Sequence, residues 1–263
     1  MLTAVEPQIL VLLVVLILLG AIINGLVAMG FALLAVNIVS IALGSRDAVI
    51  VASILTPVTS GLQLYWNRSL AHTWVRLRTL LIGALVGTAA GALLLVYLPT
   101  WLISIGLGLF TLQFVWDSLH RDRPQMAAGR ERRLAPFAGF VSGMTNGSLG
   151  ASGPVVGSFL LAIGLRGKEF IFAISLVFFF QGVIRDSVFL ANGQYTGPLV
   201  LTSLALLVPA LIGQQIGLKL RGHLDPKMFQ RILLIVLGVS SLNLLVKGLG
   251  GGIAAARAAG LFG

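Results

Sequence analysis

The chain has 263 residues, of which 57% are hydrophobic and only 10% are charged. Its mean hydropathy of +1.02 excludes a soluble globular domain and is typical of a polytopic membrane protein. The net charge of +10 does not indicate nucleic-acid binding, because the basic residues fall in short segments between apolar stretches, as orientation signals do. The absence of Cys excludes disulfides, thiol catalysis and Cys-ligated metals.

Eight hydrophobic segments follow one another along the chain. A straight membrane span needs about 20 residues. Six segments fit that length: 48–66, 77–97, 100–118, 169–191, 198–220 and 228–247. Segments 8–44 and 135–165 are too long for one span and are interrupted by Gly or Asn, so each is predicted to fold back as a hairpin of two short helices. Residues 1–8 lack Lys and Arg, so the first segment is expected to stay in the mature protein.

The two halves of the chain resemble each other. Gly87-Thr-Ala-Ala-Gly91 corresponds to Gly213-Gln-Gln-Ile-Gly217, and in a similar register Gln63 falls opposite Arg185. The collinear match predicts two transmembrane repeats.

The charges of the connecting segments predict how these repeats are oriented. Loop 67–78 carries three Arg, whereas its counterpart 192–197 is uncharged; loop 97–100 is uncharged, whereas its counterpart 219–231 carries four Lys and Arg. Corresponding loops of unlike charge are expected on opposite sides of the membrane, which predicts inverted and not parallel repeats.

A count of all basic residues favours the same arrangement. If both over-long segments return to the side on which they start, one side gathers fourteen of the eighteen Lys and Arg. These are Arg68, Arg76, Arg78, Arg121, Arg123, Arg130, Arg132, Arg133, Arg166, Lys168, Lys219, Arg221, Lys227 and Arg231. The predicted organisation is therefore a first repeat at 1–118, a basic cytoplasmic linker at 119–134 and a second repeat at 135–263, with both chain ends outside.

Residues 142–165 carry no charge but do not form a plain apolar helix. Five glycines lie between positions 143 and 157, together with Asn146 and Ser148. Unsatisfied backbone groups are costly in lipid, so a broken helix is tolerated only inside protein or beside a wet cavity. Ser152-Gly153-Pro154 indicates a helix start, with Ser as N-cap and Pro in the first turn. Its N–H groups and positive dipole end suit an anion; close helix packing on small residues is the alternative.

Arg185 is the basic residue that lies well inside a predicted span. An Arg at the centre of a membrane helix costs about 2.5–3.5 kcal/mol on insertion scales, so it should face the protein interior and have a partner. Three interpretations are open: it binds an anion, it pairs with Asp186 or another acid, or the helix ends early and the side chain reaches the interface. Gln181 lies four residues earlier, on the same helical face.

Asp186 is the acidic residue farthest from the ends of the predicted segments. It is the candidate titrating group if transport is coupled to protons, and neutralisation of Arg185 is the alternative. Because adjacent residues point in different directions on a helix, its carboxylate should have a partner other than Arg185.

The first repeat supplies a corresponding polar set, namely Asn24, Asn37, Ser53, Thr56, Thr59, Ser60 and Gln63. From Thr56 to Gln63 the polar residues are spaced on one helical face. They form either hydrogen bonds between helices, worth about 0.6 kcal/mol each on average, or, by pseudo-symmetry, the wall of the cavity that contains Arg185.

The sequence offers little for an enzyme. His72, His120 and His223 fall in predicted loops without metal-ligand spacing, and neither a nucleophile elbow nor a phosphate-binding loop occurs. No cofactor or metal is expected, and ATP drive would require a separate subunit.

The glycine and proline pattern resembles that of the TauE/SafE family, the sulfite exporters and toluenesulfonate uptake permeases. The residues that carry the resemblance are Gly139, Gly143, Gly150, Gly153-Pro154 and Gly164-Leu165, a following helix with Ser175 that ends near Asn192-Gly193, and the two glycine pairs of the repeats. The resemblance implies a transporter of sulfite, sulfonates or other organic acids in a bacterial inner membrane. It also implies a binding region at the start of each repeat, here around Asn37 and residues 152–154.

The sequence thus predicts an all-α polytopic membrane protein with about eight to ten transmembrane segments in two inverted repeats. The predicted function is secondary transport, in the direction of export, of a small anion such as sulfite, an organosulfonate or a short organic acid by alternating access. A proton or a sodium ion is the candidate coupling ion, and Asp186 is the candidate residue that would take up the proton. The alternatives are a passive anion channel and a non-transporting membrane subunit or enzyme. Candidate binding residues are Arg185, Gln181, Ser152, Gly153, Pro154, Ser148, Asn146, Asn37, Ser53, Thr56 and Gln63.

Overall fold

The computed structural model describes residues 7–28, 30–120, 128–220 and 226–258, and within these ranges it contains ten α-helices and no β-strand. The helices are α1 (Pro7–Val27), α2 (Phe31–Leu43), α3 (Ser45–Trp66), α4 (Trp74–Tyr97), α5 (Thr100–His120), α6 (Ala128–Leu149), α7 (Gly153–Ala162), α8 (Gly167–Ala191), α9 (Gly197–Leu220) and α10 (Pro226–Ala258); a 3₁₀-helix at Arg68–Thr73 precedes α4. Six spans are long and apolar enough to cross a membrane, and they overlap the six predicted ones. The predicted all-α polytopic fold is confirmed.

Both over-long segments are broken, but not into the two short helices predicted. The first forms α1 with 21 residues and α2 with 13; the second forms α6 with 22 residues and α7 with 10. In the second case the first helix is long because it begins at Ala128, inside the predicted linker. Left-handed backbone at Ala28 (φ 58°), Gly30 (φ 93°) and Gly150 (φ 72°) accompanies the two breaks. The return of each helix pair to its starting side stays a prediction.

The helices pack in pairs that correspond between the halves. Helix α4 of the first half packs along α6 of the second, and α9 of the second half packs along α1 of the first. If α1–α5 correspond in order to α6–α10, these two pairs are equivalent. The α3–α8 and α5–α10 contacts then each join equivalent helices. Two equivalent five-helix repeats that pack against each other are expected to give these pairs of contacts. The inverted orientation of the repeats stays a prediction.

Glycines bring α4 and α6 into direct backbone contact. A methyl group at Gly87 would lie 2.1 Å from the carbonyl oxygen of Phe140, and one at Gly143 would lie 2.2 Å from that of Ala84. Both helices carry glycines at four-residue spacing, Gly83, Gly87 and Gly91 on α4 and Gly139, Gly143 and Gly147 on α6. These positions therefore serve helix packing, the alternative that the sequence left open for the glycines of residues 142–165.

Helices α3 and α8 cross in the centre of the protein. Gly182 lies against Pro57, where an added methyl group would be 2.8 Å from the proline Cδ. Close approach at this point brings the polar face of α3 toward Gln181 and Arg185 of α8, all of which are buried. The packing thus brings Thr56 of the first half together with Gln181 and Arg185 of the second.

Gly87→Ala is expected to destabilise the protein by about 1–3 kcal/mol, because the added methyl group overlaps the Phe140 backbone, which cannot move aside as a side chain can. Gly238→Ala is the matched control: no atom lies within 4 Å of the position of its methyl group, so the helix propensity of Ala should leave α10 equally or more stable. Thermal unfolding of both variants in detergent measures the difference. Equal unfolding temperatures would contradict the account of the α4–α6 contact.

Candidate anion-binding site

Helix α8 places Arg185 in the interior of the protein. Its side chain has an exposed fraction of 0% and is one of the largest fully buried side chains in the described residues. Residues before and after it remain helical as far as Ala191. The interpretation that the helix ends early and the guanidinium reaches the membrane interface is therefore wrong.

The guanidinium of Arg185 is held by uncharged groups. Nη1 donates to the carbonyl oxygen of Asn146 at 3.1 Å, and Nη2 donates to the hydroxyl of Thr56 at 3.3 Å. Among the described residues, the Nε–H has no hydrogen-bond partner. Within the described ranges the ion pair observed is Arg76–Glu131, at 2.8 Å, and no carboxylate lies within 4 Å of the Arg185 nitrogens. In the part of the chain that the structure describes, no carboxylate therefore forms a direct ion pair with Arg185, and the adjacent Asp186 interacts with it electrostatically over a longer distance.

The Asn146 carbonyl lies in the last turn of α6, just before the break in the second repeat. Gly150, with its left-handed backbone, donates its N–H to the same oxygen at 2.9 Å. The last carbonyls of a helix lack intrahelical donors and carry a partial negative charge. Arg185 is therefore a second donor to a carbonyl at the negative end of α6, which gives part of the compensation that a buried cation needs.

Gln181 joins three helices through its amide group. Its Oε1 accepts from the Ser152 hydroxyl at 2.8 Å, and its Nε2 donates to the Ser142 hydroxyl at 2.9 Å. Asn146 Nδ2 donates to the Ser152 oxygen at 3.2 Å, while Asn146 Oδ1 has no partner. All four side chains are buried. The network fixes the α6–α7 break against α8, one turn before Arg185.

The short helix α7 begins at Gly153 with Pro154 in its first turn, as predicted. Ser152 is the N-cap residue of α7, as predicted, but its hydroxyl donates to Gln181 and makes no capping bond to α7. Pro154 has no N–H, and Val155 and Val156 both donate to the Ser152 carbonyl. The Gly153 N–H has no acceptor within α7, as at any helix start.

A second polar group lies beside Arg185. The Tyr195 hydroxyl donates to Asp186 Oδ1 at 2.8 Å, and it lies 2.8 Å from the Ser53 hydroxyl. Asp186 thus has a partner other than Arg185, as the helical geometry predicts. Burial, and next the neighbouring Asp186, raise the pKa of Tyr195, so its hydroxyl stays protonated and continues to donate near neutral pH. The segment between α8 and α9 is thereby tied to α3.

Several predicted residues lie outside this cluster. Gln63 Nε2 donates to the Asn24 carbonyl at 2.7 Å. Asn37 Nδ2 donates to the Leu33 carbonyl at 2.8 Å and to the Thr111 hydroxyl at 3.3 Å. The Ser148 hydroxyl donates to the Met144 carbonyl within its own helix. The resemblance implied a binding region around Asn37, but in this conformation Asn37 makes its contacts to α2 and α5 and none to the Arg185 cluster.

Sequence reasoning did not find Ser142 and Tyr195 as members of the site. Ser142 precedes Asn146 by four residues and so lies on the same helical face, which was a usable signal. Tyr195 sits between two predicted spans, where an aromatic residue is more often an interfacial anchor. In the structure it is half-buried and hydrogen-bonded to α8 and α3.

Gln181→Ala is expected to lower the stability by about 1–3 kcal/mol, because two buried hydroxyl groups lose their partner. Gln215→Ala is the matched control, because it removes the same type of side chain from a half-exposed position on α9. It should change the stability by less than about 0.5 kcal/mol. Thermal unfolding in detergent measures both variants. A Gln181 variant as stable as the Gln215 control would show that the network contributes nothing to the α6–α7–α8 arrangement.

The match to a known family covers most of the chain. The family described as "Sulfite exporter TauE/SafE" matches residues 12–244. No curated protein and no solved structure matches the chain. Together with the six apolar spans, the family match identifies an integral, multi-pass membrane protein of a transporter family. The chain belongs to the sulfite exporter TauE/SafE family.

Proposed function

We propose that this protein is a secondary transporter of a small oxyanion, either sulfite, an organosulfonate or a short organic acid, that exports its substrate across a bacterial inner membrane by alternating access. The observation that carries the proposal is the fully buried Arg185 guanidinium, which has no carboxylate partner within the described ranges and an unpartnered Nε–H. A cation in a low-dielectric interior is costly unless it is paired. A bound anion would give the guanidinium the direct ion-pair partner that it lacks in the described residues.

The corresponding residue of the first repeat supports a role beyond helix capping. Gln63 falls opposite Arg185, and it donates to the carbonyl of Asn24 near the end of α1, as Arg185 does to Asn146 near the end of α6. Asn24-Gly25 and Asn146-Gly147 are the same dipeptide at the same distance from these partners. A neutral amide therefore suffices to make this bond at one of the two positions. The positive charge at position 185 is not needed for the packing, which favours a ligand as its reason.

The groups around Arg185 suit an oxyanion. The guanidinium fork matches the spacing of two oxygens of a sulfite, sulfonate or carboxylate. The Gly153 N–H at the start of α7 adds a donor at the positive end of a helix dipole, beside Ser152. Thr56, from the other repeat, contributes a hydroxyl that already contacts Arg185. Bound between these groups, an anion would replace the Thr56 bond or the Asn146 bond and use the Nε–H.

The burial of the cluster favours alternating access over a permanently open channel. Arg185, Gln181, Asn146, Ser152 and Thr56 are at most 3% exposed. An open pore would keep such residues in contact with water on both sides. A closed site between two packed repeats is instead what an occluded state of a transporter requires.

Arg185→Gln is expected to abolish saturable anion uptake into proteoliposomes containing the purified protein. Hydrogen bonds to a charged group contribute about 1.5–3 kcal/mol each, so a loss of roughly ten- to a hundredfold in apparent affinity is the minimum effect. Uptake is measured with sulfite, sulfonates, sulfate and short carboxylates. The proposal is contradicted if the wild-type protein moves none of these anions, or if Arg185→Gln transports as well as the wild type.

Arg46→Gln is the matched control for this experiment. Arg46 on α3 also donates to a backbone carbonyl, that of Leu98, but it lies at the start of its helix, away from the cluster. Its substitution should leave the affinity for the anion unchanged. Gel filtration and circular dichroism establish that both variants are folded, and Arg185→Lys, which keeps the charge without the fork, is expected to retain weakened uptake.

Asp186 is the residue we propose for coupling to protons. Its carboxylate follows Arg185 directly, accepts a hydrogen bond from Tyr195 and lies between the anion site and the segment that connects α8 to α9. Asp186→Asn should keep flux of the anion down its own gradient but lose uphill movement driven by a pH gradient. Retained uphill movement in Asp186→Asn would exclude Asp186 as the coupling group, and a sodium gradient would then be the drive to examine.

A further inference from the structure

A row of buried polar side chains runs along one face of α3 and continues one residue beyond it. The row consists of Ser53, Thr56, Ser60, Gln63 and Asn67, spaced by alternating steps of three and four residues, and each of these side chains is at most 6% exposed. A spacing of this kind keeps all of them on one side of the helix. The row therefore passes from the partner of Arg185 to the far end of the helix.

Neighbouring helices add further polar groups along the same row. Gln214 of α9 donates to the Thr59 carbonyl at 2.7 Å, and its buried Oε1 has no partner. Asn67, the last member, donates to the Gln63 carbonyl at 2.8 Å. Buried polar groups of α3 and α9 thus lie at successive turns between Thr56 and the end of α3.

The row ends at an open cleft with a volume of about 320 Å³. Its walls include Asn67, Ser69, Gln215 and two lysines, Lys168 from the first turn of α8 and Lys219 from the last turn of α9. Both lysines are exposed, and none of the described residues that line the cleft is acidic. The described lining therefore carries a net positive charge, and it lies on the side that the charge pattern predicts to be cytoplasmic.

We infer that this cleft is a second anion-binding site, the mouth through which the oxyanion passes between the cytoplasm and the buried Arg185 site along the α3 row. This inference rests on the proposed transport function. Clefts lined by one sign of charge raise the local concentration of oppositely charged solutes. Exposed lysines hold an anion weakly, because water and salt screen them, so the anion is collected and released without being trapped.

The absence of Cys from the chain allows a direct test. A single cysteine introduced by Ser69→Cys lies in the cleft and is exposed. Its rates of alkylation by the anion iodoacetate and by neutral iodoacetamide are compared in the purified full-length protein. Combining Lys168→Gln with Lys219→Gln should lower the ratio of the two rates about three- to tenfold, and ethanesulfonate should slow the alkylation of Ser69→Cys in the protein that keeps both lysines.

The matched control is the pair Arg78→Gln and Arg132→Gln. These residues line another cleft, and the charge pattern places them on the same side of the membrane, so they change the net charge equally but should leave the alkylation ratio unchanged. In flux assays, substitution of both lysines should raise KM for anion movement from this side and leave kcat unchanged. Substitution of both arginines should change neither constant.

The outcomes separate this inference from the proposed function. If the alkylation ratio falls as expected and ethanesulfonate protects the cysteine, but no anion is transported, the cleft binds anions and the transport proposal fails. If anion flux depends on Arg185, but substitution of both lysines changes neither the ratio of the alkylation rates nor KM, the cleft is not a second anion-binding site. The transport proposal then stands. If ethanesulfonate does not slow the alkylation of the cysteine, the inference that the cleft binds anions is also contradicted.

Discussion

The structure depends on one unusual interaction, a fully buried guanidinium that is held by a helix end and a hydroxyl, with no carboxylate partner in the described residues. A cation in a membrane protein interior must be compensated, and here a carbonyl in the last turn of α6 and the Thr56 oxygen compensate Arg185 only in part. The Nε–H remains unpartnered. The same position in the first repeat holds Gln63, which makes the equivalent bond without a charge. The bound anion that we propose would account for a charge at Arg185, where the first repeat makes the equivalent bond with a neutral amide.

The glycine-rich packing is what makes this arrangement possible. Backbone contact between α4 and α6 holds α6 rigidly up to its last turn, and Gly150 then ends the helix in the interior. The carbonyl that accepts from Arg185 and the start of α7 therefore lie close together, beside α8. Gln181 links Ser142 before the break to Ser152 after it. Along this stretch of the chain, glycines that serve helix packing alternate with polar residues that belong to the candidate site. The position of a residue in the sequence therefore does not show which of the two roles it has.

The sequence contained enough to predict the helices and much of the site. Long apolar runs set the six spans, and the Gly-Pro pair fixed the start of α7. The register of the repeats placed Gln63 opposite Arg185 before any contact was known. Tertiary packing decided the rest. Ser152 bonds to Gln181 and not to its own helix, because a side-chain partner on α8 comes within reach only after folding. The family resemblance implied that Asn37 lies near the site, but its amide reaches Thr111 on α5. Tyr195 looked like an interfacial aromatic because a single loop residue carries no periodic signal.

The central claim is that an oxyanion binds at Arg185, and its most direct test is to locate a heavy analogue there. Selenite is a pyramidal oxyanion like sulfite, and its selenium is visible by anomalous diffraction in crystals of a protein that binds selenite in solution. The account predicts a selenium peak between Arg185 and the start of α7, with at least one oxygen accepting from the Nε–H. Selenite bound elsewhere in the protein, with Arg185 still donating only to Asn146 and Thr56, would contradict it.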